Sequence, residues 1–293
     1  MKRAAVIGWP VAHSKSPVIH RFWLAKLGID GDYDRVAVAP GDLGEWLRAL
    51  PASGLTGVNI TVPHKVAAAA HLGRIDDFAA WVGAINTVIV EDGVLAGYNT
   101  DVAGVTDALR PALAELPPAR TAVLYTLIGT GGAARAAAAA LHGHEVTVYG
   151  RDAAKAAELV DRFQLGGGSE HGFSQDIAKL ASTPWYDEIA GTSLDNRAYP
   201  RFAQVIINAT SLGMTGMPPL AIDLRPFADD TIVFDMVYAP LETPLLAAAR
   251  ARGLRTIDGL AMLIGQAAVA FGLFYGADAP REHDAELRSL LTA

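Results

Sequence analysis

The string Gly129-Thr130-Gly131-Gly132-Ala133-Ala134 constrains this chain most, because it joins an apolar run at 121–128 to an alanine-rich stretch at 132–142. It matches G-x-G-x-x-A. Between a strand and a helix, the first glycine permits a sharp turn and the second lets backbone approach a pyrophosphate. The small Ala134 allows close packing of helix on sheet. The N–H groups that open the helix then face the anion. A strand at 145–149, a helix at 152–163 and strands at 204–208, 231–236 and 254–257 continue the alternation. This pattern predicts an α/β domain with a parallel, Rossmann-like sheet covered on both faces.

Cofactor choice is expected at the end of strand 145–149, in Gly150-Arg151-Asp152-Ala153-Ala154-Lys155. Arg151 suits stacking on adenine or contact with a 2′-phosphate, and Lys155 lies one turn into the following helix. Asp152 has two readings: acceptor for an unphosphorylated ribose, or helix N-cap. The motif leaves NADP and NAD open. Pro117-Pro118 marks a connection into the glycine-turn strand. Segment 165–203, which contains Gly166-Gly167-Gly168, is too long for an ordinary loop and reads as an insertion with structure of its own.

At 293 residues the chain is comfortable as two domains. The alternation changes character near Asp101–Val102. Before it, Ser16 reads as an N-cap with Pro17 at the first helical position, and Gly28 closes that helix. A strand at 33–38, a short helix at 43–50 and a strand at 58–62 follow. Glu91-Asp92-Gly93 between apolar runs signals a hairpin. Helices at about 259–274 and 282–291 end the chain.

Composition removes several function classes. A net charge of −7 without any Lys/Arg run argues against a nucleic-acid partner and a polybasic membrane anchor. The absence of cysteine excludes a disulfide framework, a thiol nucleophile and a Cys-ligated metal. The histidines lack metal spacing, so no metal is expected. No apolar stretch is long enough for a membrane span. The expectation is a soluble cytoplasmic protein.

Candidate chemistry lies in three places. Ser14 and Ser16 flank Lys15 at a strand-to-helix loop, where hydroxyls at a helix N-terminus suit a carboxylate. Capping by Ser16 explains only one of them. Asn59-Ile60-Thr61-Val62-Pro63-His64-Lys65 ends a strand with a hydroxyl and an amine close together; locally, Lys65 reads as a solvated charge. Asn99-Thr100-Asp101 opens a helix, and Asp101 alone reads as its cap.

Together these segments resemble the shikimate dehydrogenase family over nearly the whole chain. The resemblance is carried by His13-Ser14-Lys15-Ser16-Pro17, 59–65, Gly83-Ala84-Ile85-Asn86-Thr87, Gly97-Tyr98-Asn99-Thr100-Asp101 and 129–135. It continues in Asn208-Ala209-Thr210-Ser211-Leu212-Gly213-Met214, in Asp235-Met236-Val237-Tyr238-Ala239-Pro240 with Thr243-Pro244-Leu245, and in Asp258-Gly259-Leu260-Ala261-Met262-Leu263-Ile264-Gly265-Gln266. It implies a substrate domain of residues 1–101 plus 260–293 and an NAD(P)-binding domain of residues 102–259. It also implies reversible NADPH-dependent reduction of 3-dehydroshikimate to shikimate, a step of aromatic amino-acid biosynthesis.

Carried over residue by residue, the resemblance makes Lys65 and Asp101 the catalytic pair. Ser14 and Ser16 would bind the substrate carboxylate, with Thr61, Asn86, Tyr238 and Gln266 around its ring. Gly129, Thr130, Gly131, Gly132 and Ala133 would hold the pyrophosphate, Arg151, Asp152 and Lys155 the adenosine side, and Met236 and Gly259 the nicotinamide; Asp77 would approach the cofactor. The assembly expected is a monomer or homodimer. Two departures stand out. Thr130 replaces a common alanine, and Gly150-Arg151-Asp152 replaces the Asn-Arg-Thr usual in NADP-using members. Asp152 opposes a 2′-phosphate, so an NAD-dependent quinate/shikimate dehydrogenase is the rival. A member using an aminated shikimate analogue and a non-catalytic regulatory paralogue are further alternatives.

Overall fold

A computed structural model describes residues 1–116, 123–165 and 203–293. The chain divides into two compact units, Met1–Val105 with Leu263–Ala293, and Thr106–Met262.

In the first unit, β1 (Lys2–Gly8) lies between β2 (Gly31–Ala37) and β3 (Gly57–Ile60), parallel to both. β5 (Thr87–Glu91) runs antiparallel to β3 and to β6 (Val94–Tyr98), and β4 (Arg74–Ile75) pairs with β6 at the edge. The sheet order is β2-β1-β3-β5-β6-β4. The β5–β6 turn has positive φ at Asp92 and Gly93, the hairpin geometry that the Asp-Gly pair predicts.

Helix α1 (Ser16–Leu27) ends at Gly28, whose φ of +62° lets its N–H turn back to the Ala25 and Leu24 carbonyls. α2 (Leu43–Ala49) packs Leu43 and Leu47 with Ile7, Val58 and Ile60 of the strands. α3 (Asp77–Val82) is capped by Asp76, which accepts from Phe78 and Ala79 N–H. Both α3 and β4 escape the sequence reading, being too short to establish a period.

The second unit is a parallel sheet of order β11-β10-β9-β7-β8. Its strands are β7 (Leu124–Ile128), β8 (Glu145–Tyr149), β9 (Val205–Asn208), β10 (Ile232–Asp235) and β11 (Arg255–Ile257). α4 (Asp101–Ala114) enters the unit, α5 (Gly132–Ala140) follows β7, and α6 (Ala153–Phe163) follows β8. α7 (Pro244–Ala251), unforeseen in the sequence, starts from Thr243, whose hydroxyl accepts from Leu246 N–H. Strand order reverses at β7, the switch point at which parallel sheets bind ligands beyond their carboxyl ends. Ile206, Val233, Leu246 and Phe227 fill its core.

α8 (Gly259–Tyr275) and α9 (Asp284–Thr292) end the chain. Phe271, Phe274 and Tyr275 of α8 meet Trp23 and His20 of α1 and Tyr33 of β2 in an aromatic cluster of the first unit. Each large ring buried there is worth about 1.5–3 kcal/mol. The Pro117-Pro118 connection and nearly all of the 165–203 insertion lie outside the described residues.

Candidate active site

His64 aims Lys65. The His64 ring is buried with Nε2 at 2.7 Å from the Val38 carbonyl, and its backbone N–H closes a turn onto Thr61. Lys65 follows, and its Nζ meets Asp101 Oδ2 at 2.6 Å, with side chains 14% and 3% exposed. Asp101 does not cap its helix. Asn99 Oδ1 accepts the Val102 N–H instead, which leaves the Asp101 carboxylate for Lys65 and for Asn86, whose Nδ2 donates to Asp101 Oδ1 at 2.9 Å. Lys65 is likewise a paired cation, not a solvated one.

Gln266 joins this group. Its Oε1 lies 3.4 Å from Asn86 Nδ2, and its own amide donates to the Leu263 carbonyl. Thr61 follows β3, with its N–H on the Ile7 carbonyl. A Cβ on Gly8 would sit 2.4 Å from Thr61 Cγ2, so the bare glycine makes room for that threonine.

Ser14 and Ser16 are both buried, with the Ser14 hydroxyl donating to Ser16 Oγ at 3.2 Å. The expected N-cap role of Ser16 fails. Ser16 is already the first helical residue, and Ser14 Oγ accepts its N–H. Arg35 holds this loop, its Nε and Nη2 donating to the Ser14 carbonyl at 2.7 and 2.5 Å.

In the second unit, the glycine turn has the backbone its sequence demands. Gly129 has φ +124°, and a Cβ there would press on Ala209 backbone at 3.0 Å. A Cβ at Gly131 would project into open space beside the start of α5. The first α-helical bond runs from Arg135 N–H to Gly131 O, so the N–H groups of Gly132, Ala133 and Ala134 precede the ladder. That concavity suits a dinucleotide diphosphate.

Asp152 caps α6, accepting from Ala154 and Lys155 N–H at 3.0 and 3.2 Å, and Lys155 Nζ lies 3.5 Å from its other oxygen. These backbone N–H groups, foremost that of Lys155, hold its carboxyl below the ordinary range. Arg151 is exposed beside it. The two departures from the family pattern touch each other: a Cβ on Gly150 would sit 2.5 Å from Thr130 Cγ2. At Gly259 a Cβ would lie 2.3 Å from the Met236 carbonyl oxygen, so glycine lets α8 begin against that segment. Tyr238 also belongs to this unit, whereas Asp77 is an exposed residue of the first.

Sequence reading passed over three further polar side chains of the first unit. Asn59 Nδ2 donates to Thr87 Oγ1 at 2.9 Å, and Thr100 Oγ1 accepts from Asn86 Nδ2 at 2.8 Å. For Asn59 and Thr87 the signal was polarity inside β3 and β5; Thr100, between β6 and α4, carried no such signal. Among the described residues no His/Asp/Glu group could hold a metal, and no helix is long and apolar enough to cross a membrane.

Residues 6–88 match the family model described as the shikimate dehydrogenase substrate binding domain. The chain is 43% identical to a shikimate dehydrogenase (NADP(+)) of Mesorhizobium japonicum, across 100% of this chain and 96% of that protein. Shikimate 5-dehydrogenase from Thermus thermophilus, solved in complex with NADP(H) and shikimate, superposes with a TM-score of 0.78. It is 33% identical, covering 99% of this chain and 100% of that one. Quinate dehydrogenase from Corynebacterium glutamicum, solved in complex with NAD, is 29% identical with a TM-score of 0.76, covering 99% of each chain.

Proposed function

Because the chain belongs to the shikimate dehydrogenase family, we propose that it catalyses the reversible reduction of 3-dehydroshikimate by NADPH to shikimate and NADP. The single observation that carries this reading is the Lys65–Asp101 pair with Asn86 and Gln266 beside it, in the compact unit whose residues 6–88 match the substrate-binding family model.

Ser14 and Ser16 hold the substrate carboxylate, kept in place by the Arg35 grip on the Ser14 carbonyl. Thr61, Asn86 and Gln266 surround the ring and its hydroxyls. The nicotinamide cofactor supplies the hydride when bound, held by the glycine turn from Gly129 to Ala133, by Arg151 and Lys155, and near Met236 and Gly259. As negative charge grows on the substrate oxygen, Lys65 donates a proton to it; in the reverse direction Lys65 takes the hydroxyl proton. Asp101 fixes the ammonium through Oδ2 and meets the reacting hydroxyl. Positioned proton transfer of this kind is worth about 10²–10⁴ in rate.

NADP is the cofactor this reading prefers, since Asp152 is engaged by its own helix and by Lys155. Use of NAD is the second reading, favoured by the carboxylate at that place and by the likeness to an NAD-bound quinate dehydrogenase. Initial rates with shikimate and quinate, each against NADP and NAD, test both. The highest turnover is expected with shikimate and NADP. A consistent preference for NAD and quinate would favour the second reading, and folded protein without turnover in any pairing would sink both.

A further inference from the structure

Behind the Lys65–Asp101 pair runs a buried chain of hydrogen bonds whose direction follows from its donors and its shortest contacts. The Tyr33 hydroxyl donates to Asn59 Oδ1 at 2.6 Å, which sets the Asn59 amide with its NH2 toward β5. That NH2 donates to Thr87 Oγ1 at 2.9 Å and to the Asn86 carbonyl at 3.2 Å. Of its two onward neighbours, Asn86 Oδ1 at 3.1 Å and Thr100 Oγ1 at 3.4 Å, Thr87 donates its single proton to the nearer, Asn86. Asn86 Oδ1 also receives the Thr100 N–H at 2.7 Å. Two donors on this oxygen leave the Asn86 NH2 facing Asp101 Oδ1 at 2.9 Å, and Asp101 Oδ2 faces Lys65. A flipped Asn86 amide would set oxygen against carboxylate oxygen and NH2 against the Thr100 N–H.

We propose that Thr87 is a positioning residue for this reaction. Its hydroxyl keys the Asn86 amide, Tyr33 keys Thr87 through Asn59, and the outcome is an Asp101 carboxylate held square to the Lys65 ammonium. Tyr33, Asn59, Thr87, Asn86 and Asp101 are all buried, so water does not stand in for a missing partner. Register makes the device possible. Asn59 and Thr87 are directly opposed across the antiparallel β3–β5 pair, and Tyr33 reaches over β1 from β2.

The inference rests on the reaction proposed above, so its test carries one readout that needs no turnover. Thr87→Val keeps the shape and removes the proton. It leaves Asn59 Nδ2 and Asn86 Oδ1 each short of a partner, and a loss of this kind lowers kcat by about 10-fold or more. A changed kcat–pH profile and less change in KM are expected with it, alongside a lowered thermal midpoint from the two buried groups left short of a partner. Thr87→Ser restores the rate and the profile. In substrate-free protein, the NMR signals of the Asn86 side-chain NH2 shift in Thr87→Val and return in Thr87→Ser. Tyr33→Phe gives a smaller change of the same sign in every readout, and it stands in should Thr87→Val fail to fold. Wild-type rate and profile in Thr87→Val, or a Thr87→Ser as impaired as Thr87→Val, overturns the inference. An inactive wild-type protein overturns the proposed reaction instead, and the Asn86 signals still decide the role of Thr87.

Discussion

Asp101 and Asp235 are both buried carboxylates beside a polar cluster, one in each unit, and their surroundings divide their work. Asp101 has a cation at 2.6 Å on one oxygen and a single amide donor on the other. Asp235 has three neutral donors, Thr243 Oγ1 at 2.6 Å, Asn208 Nδ2 at 2.9 Å and Val237 N–H at 3.0 Å. No ion pair reaches it among the described residues. Burial pushes the Asp235 carboxyl above its ordinary range, and those donors only partly offset the push. A carboxylate opposite an ammonium holds a transferable proton in reach. One saturated by neutral donors clasps strand ends together: β9, β10 and the start of α7 all meet at Asp235.

The sharpest way to break this contrast is Lys65→Ala, for which kcat should fall by about 10²–10⁴ with NADP affinity unchanged. Stopped-flow rates and a cofactor titration check it, and retained turnover removes Lys65 from the chemistry. Asp235→Ala should behave oppositely. It strands the donors of Thr243 and Asn208 and costs about 3 kcal/mol in urea unfolding. An unchanged urea midpoint there would end the clasp interpretation.

His20 adds a third kind of buried polar group, one whose side chain makes no hydrogen bond. Both ring nitrogens lack partners, and the ring stacks on Tyr33 at 4.0 Å between centroids. Desolvation lowers its pKa from 6.5 to about 3. The unfolded chain therefore takes up a proton that the folded one refuses. Stability is complete above pH 6.5 and declines as pH falls toward 3, by about 2 kcal/mol at pH 5. Thermal midpoints across that range should fall in the wild type and flatten in His20→Phe; parallel curves would refute the assignment. The smallest expected effect is at exposed Asp152, where Asp152→Ala removes the α6 cap and lowers the thermal midpoint slightly. If NADP-over-NAD preference moved while stability did not, Asp152 would belong to the ribose instead.

Much of this was legible in residue order. The glycine turn, the Asp92-Gly93 hairpin and the run of parallel strands each rest on local backbone chemistry that neighbours in sequence determine. Capping was less legible, because it is a competition. Ser16 and Asp101 both looked like caps, and in each case a residue two positions earlier, Ser14 or Asn99, took the backbone N–H and released the side chain. Least legible was the path from Tyr33 to Asn86. It depends on β2, β1, β3 and β5 lying in that order, and no local period reports an order set by long-range pairing.

The contact between Thr130 and the empty place at Gly150 couples the two positions. Any side chain placed at 150 would meet a β-branched neighbour with few rotamers to retreat into. Redesign of the adenosine side is thus ordered: position 130 must shrink before position 150 can grow, and a residue introduced at 150 alone would push against the glycine turn.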